Sequence, residues 1–157
     1  MLTKKGHIMK YLFLLVALIL ILFSFNEYNK ESVSTQPAEV HWDRDMCARC
    51  AMVISDRSNT TQVINPQNGK VYIFDDIGCM VLWLDKQNIQ WRDKAVIWIT
   101  DVKTGKWIDA NKAFYDTNNI TPMAYGYSAH KSRDDIAADE EIIDFNEVIS
   151  RVRKKGR

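Results

Sequence analysis

No phosphate-binding loop, Ser–His–Asp set or paired-carboxylate cleft can be read from this sequence, which sets aside the commonest nucleotide-transfer and hydrolytic chemistries. A basic stripe and nucleic-acid-binding motifs are also missing. The 21 basic residues exceed the 20 acidic ones only because Lys4, Lys5 and Lys10 are counted at the N-terminus, and the remaining body is slightly acidic. A DNA or RNA footprint is therefore unsupported. Cysteine is scarce, with three in 157 residues. What is present, 46% hydrophobic and 26% charged residues, is enough for one globular domain with an ordinary core.

The first sharp feature is the uncharged run YLFLLVALILILFSF, residues 11–25, behind a lysine-rich start at 1–10. It lacks a small-x-small cleavage site, and no adjacent cysteine is placed to accept a lipid. Fifteen residues are short for a membrane span of ~20, but flanking Ile8, Met9 and Tyr28 extend it if Lys10 snorkels. The expectation is a signal-anchor helix over 11–28, with everything beyond it outside the cytoplasm by the positive-inside rule. Residues 29–39, polar and proline-containing, read as a flexible tether, and the folded domain is expected over 40–157.

Within that domain the patterning predicts an α+β fold of two small strand-strand-helix units. Residues 60–64 and 71–74 are β-rich and separated by Asn68-Gly69, a hairpin signal. Asp75 or Asp76 then caps a helix carrying Ile77, Met80, Val81 and Leu84 at helical spacing. A second unit follows, with strands at 95–100 and 107–109 around a Thr104-Gly105 turn, and a closing helix near 145–152 opened by Asp144 and Glu147. Between them, residues 123–129 form a candidate strand and 130–140 a charged surface loop. Trp83, Trp98 and Trp107 fall within these elements and read as core area, not a binding platform.

The segment Met46-Cys47-Ala48-Arg49-Cys50-Ala51-Met52 packs two thiols and two thioethers into seven residues. Cys-x-x-Cys lets two sulfurs converge on one ion, Met52 can complete a low-coordinate site, and thiolate with thioether selects Cu(I) over harder metals. Met123, following Pro122, is a second candidate thioether aimed at the cysteine loop. Two other readings stand beside copper. Cys47, Cys50, Cys79 and His130 can compose a Cys₃His zinc site, although the last two are isolated in sequence. A lone extracytoplasmic C-x-x-C can also be a redox motif or a structural disulfide, although no βαβ context accompanies it. Cys79, beside Leu82 and Trp83 on the predicted helix, reads as a buried free thiol; His41 reads as a solvated loop histidine within reach of the motif.

Three blocks, DRDMCARCAMVISD, YIFDDIGCMVLWL and TPMAYGYSA, together resemble the NosL family of nitrous oxide reductase accessory proteins. The resemblance spans about residues 41–130. It implies a periplasmic Cu(I)-binding metallochaperone and not an enzyme, built of two similar α+β units. It also implies two partners, apo nitrous oxide reductase and an ABC-type maturation complex at the membrane. The family's cysteine motif falls on Cys47, Cys50 and Met52, and its later methionine on Met123. Two departures stand out: Ala51 occupies a position where the family commonly has glycine, and the lipid-accepting cysteine of many members is missing, leaving the apolar helix as the tether.

Overall fold

The computed structural model describes residues 11–21 and 33–156, in two units: one reaching Val33 and one running from Ser34 to Arg157. In the first, residues 11–21 form a helix, α1, with apolar side chains exposed all around it. The expected stub at 1–10, the rest of the anchor at 22–28 and residues 29–32 of the tether lie outside the described residues. Among those described, no helix is long and apolar enough to cross a membrane.

The second unit is built on a four-stranded antiparallel sheet. Its strands are β1 (Thr61–Ile64), β2 (Val71–Phe74), β3 (Val96–Thr100) and β4 (Trp107–Asp109), in the order β2-β1-β3-β4. The two expected hairpins are present, but they share one sheet: Thr61 pairs with Ile99 and Ile64 with Val96, joining the two units through their first strands. This pairing lies between segments thirty residues apart, so hairpin periodicity alone carries no signal for it. Every residue of the central strand β1 is buried.

Helix α2 (Ile77–Lys86) follows β2, and helix α3 (Phe145–Lys155) ends the chain. Asp76, with extended backbone, accepts a hydrogen bond from Gly78 N and starts α2, the expected cap. Asp144 caps α3 by accepting from Glu147 N, and left-handed Gly156 stops it. Ile77, Met80, Val81, Trp83 and Leu84 of α2 join Phe145, Val148 and Val152 of α3 in one core with Val63, Phe74 and Ile99 of the sheet. Trp83 packs with tilted rings against Tyr72, Phe74 and Trp91 in that core, whereas Trp98 and Trp107 are half-buried.

Three expectations need correction. Residues 123–127 are not strand: Ala124 (φ 56°) and Gly126 (φ 85°) take left-handed backbone that no strand tolerates, and only β6 (Ser128–His130) is extended there. Its partner β5 (Phe114–Asp116), unread in the sequence, pairs with it as a separate two-stranded sheet, so His130 is a buried strand residue and not part of the surface loop. Finally, the stretch before Val40 is not a free tether. Gln62, wholly buried on β1, donates its side-chain amide to Ala38 O and accepts from Ala38 N, both at 2.8 Å; Trp98 Nε1 donates to Thr35 O at 2.8 Å. Residues 35–38 thereby cover the sheet around Gln62 and Trp98, which are register partners.

Candidate metal centre

The cysteine motif sits on a tight hairpin. An isolated antiparallel bridge joins Met46 to Val53, Cys47 N donates to Met52 O at 2.8 Å, and Ala51 N donates to Cys47 O at 3.0 Å. This register sets Cys47 and Met52 opposite each other, where cross-strand Cβ atoms stand ~5 Å apart. Ala51 closes the turn in left-handed backbone, φ 58°, the conformation that glycine accommodates without cost. Ala48 N donates to Ile73 O at 2.8 Å and pins the turn onto β2, just before the chain enters α2.

That placement brings in a third thiol. Cys79, three residues past the Asp76 cap, lies on the part of α2 facing the hairpin, and the sulfurs of Cys47, Cys50 and Cys79 all lie within 4.8 Å of one another. Two metal–sulfur bonds of about 2.3 Å reach nearly that far, so one soft ion can contact all three sulfurs with little rearrangement. All three are free thiols; Cys47 and Cys79 are buried and Cys50 is half-buried at the rim. The sequence favours Cys79 as a buried free thiol and joins it to the motif only within the Cys₃His zinc alternative. Its signal was its position: the first turn of a helix that follows the strand on which the cysteine loop docks.

The site is electrostatically prepared for a cation. Cys79 donates a hydrogen bond to the Cys47 sulfur, which also receives the backbone N–H groups of Cys50, Asp75 and Arg49, and together these hold the Cys47 thiol down to about pKa 4. Cys79 is pushed up, first because its proton is committed to Cys47 and then by burial. Cys50 is raised mainly by desolvation. Arg49 Nη1 reaches the Cys79 sulfur at 3.8 Å, bringing a positive charge to the buried end of the cluster. Below it, Asp75 is buried with Oδ1 unpartnered, and its carboxyl is raised to about 6 by desolvation and then by the Cys47 thiolate.

The two expected thioethers occupy different positions. Met52 is 46% exposed on the hairpin, opposite Cys47. Met123 is half-buried, and its backbone N donates to Asp76 Oδ2 at 3.2 Å, the same carboxylate that accepts from Thr121 Oγ1 at 2.6 Å and from Gly78 N. Asp76 thus anchors the Met123 loop to the helix start that carries Cys79. His130 does not join the thiols: its Nε2 lies 3.0 Å from Asp116 Oδ2 on the β5–β6 sheet. Among the described residues, no histidine or carboxylate completes a Cys₃His zinc set around the three sulfurs. His41 is exposed and faces Asp45, with its Nδ1 3.5 Å from Oδ2.

Among curated proteins none matches this chain. The crystal structure of the copper chaperone NosL from Shewanella denitrificans is similar at a TM-score of 0.59 and 14% identity, covering 71% of this chain and 94% of that one. At that identity the likeness establishes the fold. The family model for NosL matches residues 37–142, well over half of the sequence and the entire span from the hairpin thiols to the Met123 loop. This chain belongs to the NosL family.

Proposed function

We propose that this protein is a membrane-tethered, extracytoplasmic metallochaperone that holds Cu(I) as cargo and passes it to a copper enzyme, nitrous oxide reductase, with an ABC-type complex at the membrane as its docking partner. The observation that carries this reading is the convergence of three thiol sulfurs, within 4.8 Å, beneath a hairpin that presents a thioether. Thiolate and thioether donors select Cu(I). Cys47, already a thiolate near neutral pH, supplies the first bond, and Cys50 and Cys79 offer two more within reach. Met52, exposed at the rim, and Met123, held beside the start of α2, are the neutral donors through which the ion exchanges toward a recipient. No bond of a substrate is made or broken, so the protein acts by ligand exchange and not as an enzyme. The tether is the anchor helix expected over 11–28, whose uncharged run at 11–25 follows three lysines; a reporter active only in the cytoplasm, fused after Arg157, is expected to stay silent.

The methionines provide the test. Met52→Leu and Met123→Leu conserve volume and apolar character, so each should cost less than ~1.5 kcal/mol of stability. Each should weaken Cu(I) binding by about tenfold or more, the effect of ~1.4 kcal/mol of lost coordination, while Zn(II) affinity hardly moves. Unchanged Cu(I) affinity in both variants, with function lost in Cys47→Ser or Cys50→Ser alone, would shift the reading to thiol redox chemistry.

A further inference from the structure

Two of the proposed ligands hang from one residue by their own backbone amides. Asp76 is wholly buried, and its carbonyl oxygen accepts from Cys79 N at 3.0 Å. Its side chain divides between the helix and the loop: Oδ1 accepts from Gly78 N at 2.8 Å and starts α2, whereas Oδ2 accepts from Met123 N at 3.2 Å and from Thr121 Oγ1 at 2.6 Å. The Tyr125 backbone amide is directed at the same carboxylate. A carboxylate offers about four acceptor sites on two oxygens, so one side chain can serve both segments at once. Thr121 extends the connection, because its hydroxyl also accepts from Gly126 N at 3.1 Å. Elsewhere the loop is weakly held. Asn118, Ala124 and Gly126 bend it in left-handed backbone, and Ile120 near its tip is 99% exposed. Tyr125, buried beside Gly78, fixes the end of the loop beyond Met123.

We propose that Asp76 is a positioning residue for the metal site: its carboxylate holds the Met123 loop at the helix start that carries Cys79, so that the thioether is already in place when the ion arrives. Fixing the backbone of a loop costs conformational entropy, and Asp76 meets that cost on folding rather than on binding. Without Oδ2 the Met123 amide and the Thr121 hydroxyl lose their buried acceptor, and the loop must move to reach water. Because a thioether is a useful donor to Cu(I) and contributes little to Zn(II), Asp76 acts on the choice of metal and not on affinity in general. The role of Met123 rests on the copper reading above, whereas the hydrogen bonds of Asp76 do not.

The test uses the reduced full-length chain in detergent. Asp76→Ser keeps an oxygen able to cap α2, since serine is a favoured cap, but removes the acceptor of the loop. Thr121→Val removes one bond of the loop and leaves the cap untouched, and it alone decides the matter if Asp76→Ser does not fold. In the metal-free chain, hydrogen exchange at the Met123 amide should quicken by about tenfold or more in Asp76→Ser, with the Cys79 amide unchanged. In anaerobic titrations both variants should bind Cu(I) about threefold or more weakly, keep their Zn(II) affinity, and add no further loss when Met123→Leu is already present. Wild-type Cu(I) affinity in both variants would overturn the proposal. So would a parallel fall in Zn(II) affinity, or the same Cu(I) loss in the Met123→Leu background, because either would mean that Asp76 acts through the thiols or the fold. Wild-type Cu(I) affinity in Met123→Leu itself, with the exchange result as expected, would overturn the thioether reading and with it the role assigned to Asp76, while the tether stands.

Discussion

At the scale of single residues, Ala51 and Cys47 make opposite contributions to the fold. Ala51 sits at φ 58°, where a Cβ costs roughly 1–2 kcal/mol, partly offset by the lower unfolded-state entropy of alanine relative to glycine. Ala51→Gly should therefore raise stability by about 0.5–1 kcal/mol in urea unfolding, and a loss of stability would show that the turn is not strained there. Cys47 has its folded pKa lowered to about 4 from 9.0, so its thiolate contributes stability that is complete above pH 9 and lost as pH falls toward 4. Asp75 runs the other way: raised to about 6 from 3.8, it contributes stability below 3.8 that is lost as pH rises through 6. Between pH 7 and 8, above the range of Asp75 and below that in which the raised Cys50 and Cys79 thiols begin to count, Cys47 dominates, so the reduced, metal-free protein should lose stability on acidification from 8 to 7, by at most ~1.4 kcal/mol. Cys47→Ser should flatten that slope, and a slope unchanged by the substitution would place the charge elsewhere.

Among the elements, α2 carries most of what joins the fold to the site. Gly78 faces Tyr125 so closely that a Cβ would stand 2.2 Å from the ring. Gly78→Ala should cost 1–3 kcal/mol or more of overpacking and displace the loop that holds Met123, weakening Cu(I) binding along with stability; a variant with wild-type melting would contradict this packing. The sequence made α2 legible through its cap and its apolar spacing, and both main hairpins through their Asn-Gly and Thr-Gly turns. The β5–β6 pair was illegible, because each strand is three residues long and Ala124 and Gly126 break the period just ahead of β6. The contact of Cys79 with the Cys-x-x-Cys motif, offered by the sequence only within the zinc alternative, was faint for a related reason. It depends on Ala48 docking on β2, a backbone contact that composition and spacing do not encode.

For the whole molecule, the sheet order β2-β1-β3-β4 makes one body of two similar hairpin units, and the segment before Val40 is laid across it. The hairpin with Cys47 and Cys50, the helix with Cys79 and the loop with Met123 then meet at one end of α2, on a chain that opens with an apolar run behind lysines. At this meeting point a single Cu(I) is proposed to sit on reduced sulfur. This proposal is tested most directly by anaerobic titration of the full-length protein against a calibrated Cu(I) competitor, reduced and after oxidation, with Cys79→Ser in parallel. The expected result is one Cu(I) per reduced chain, affinity about tenfold or more weaker in Cys79→Ser, and binding abolished by oxidation, because disulfide sulfur is a far poorer donor than thiolate. Undiminished copper uptake by the fully oxidised protein would contradict it.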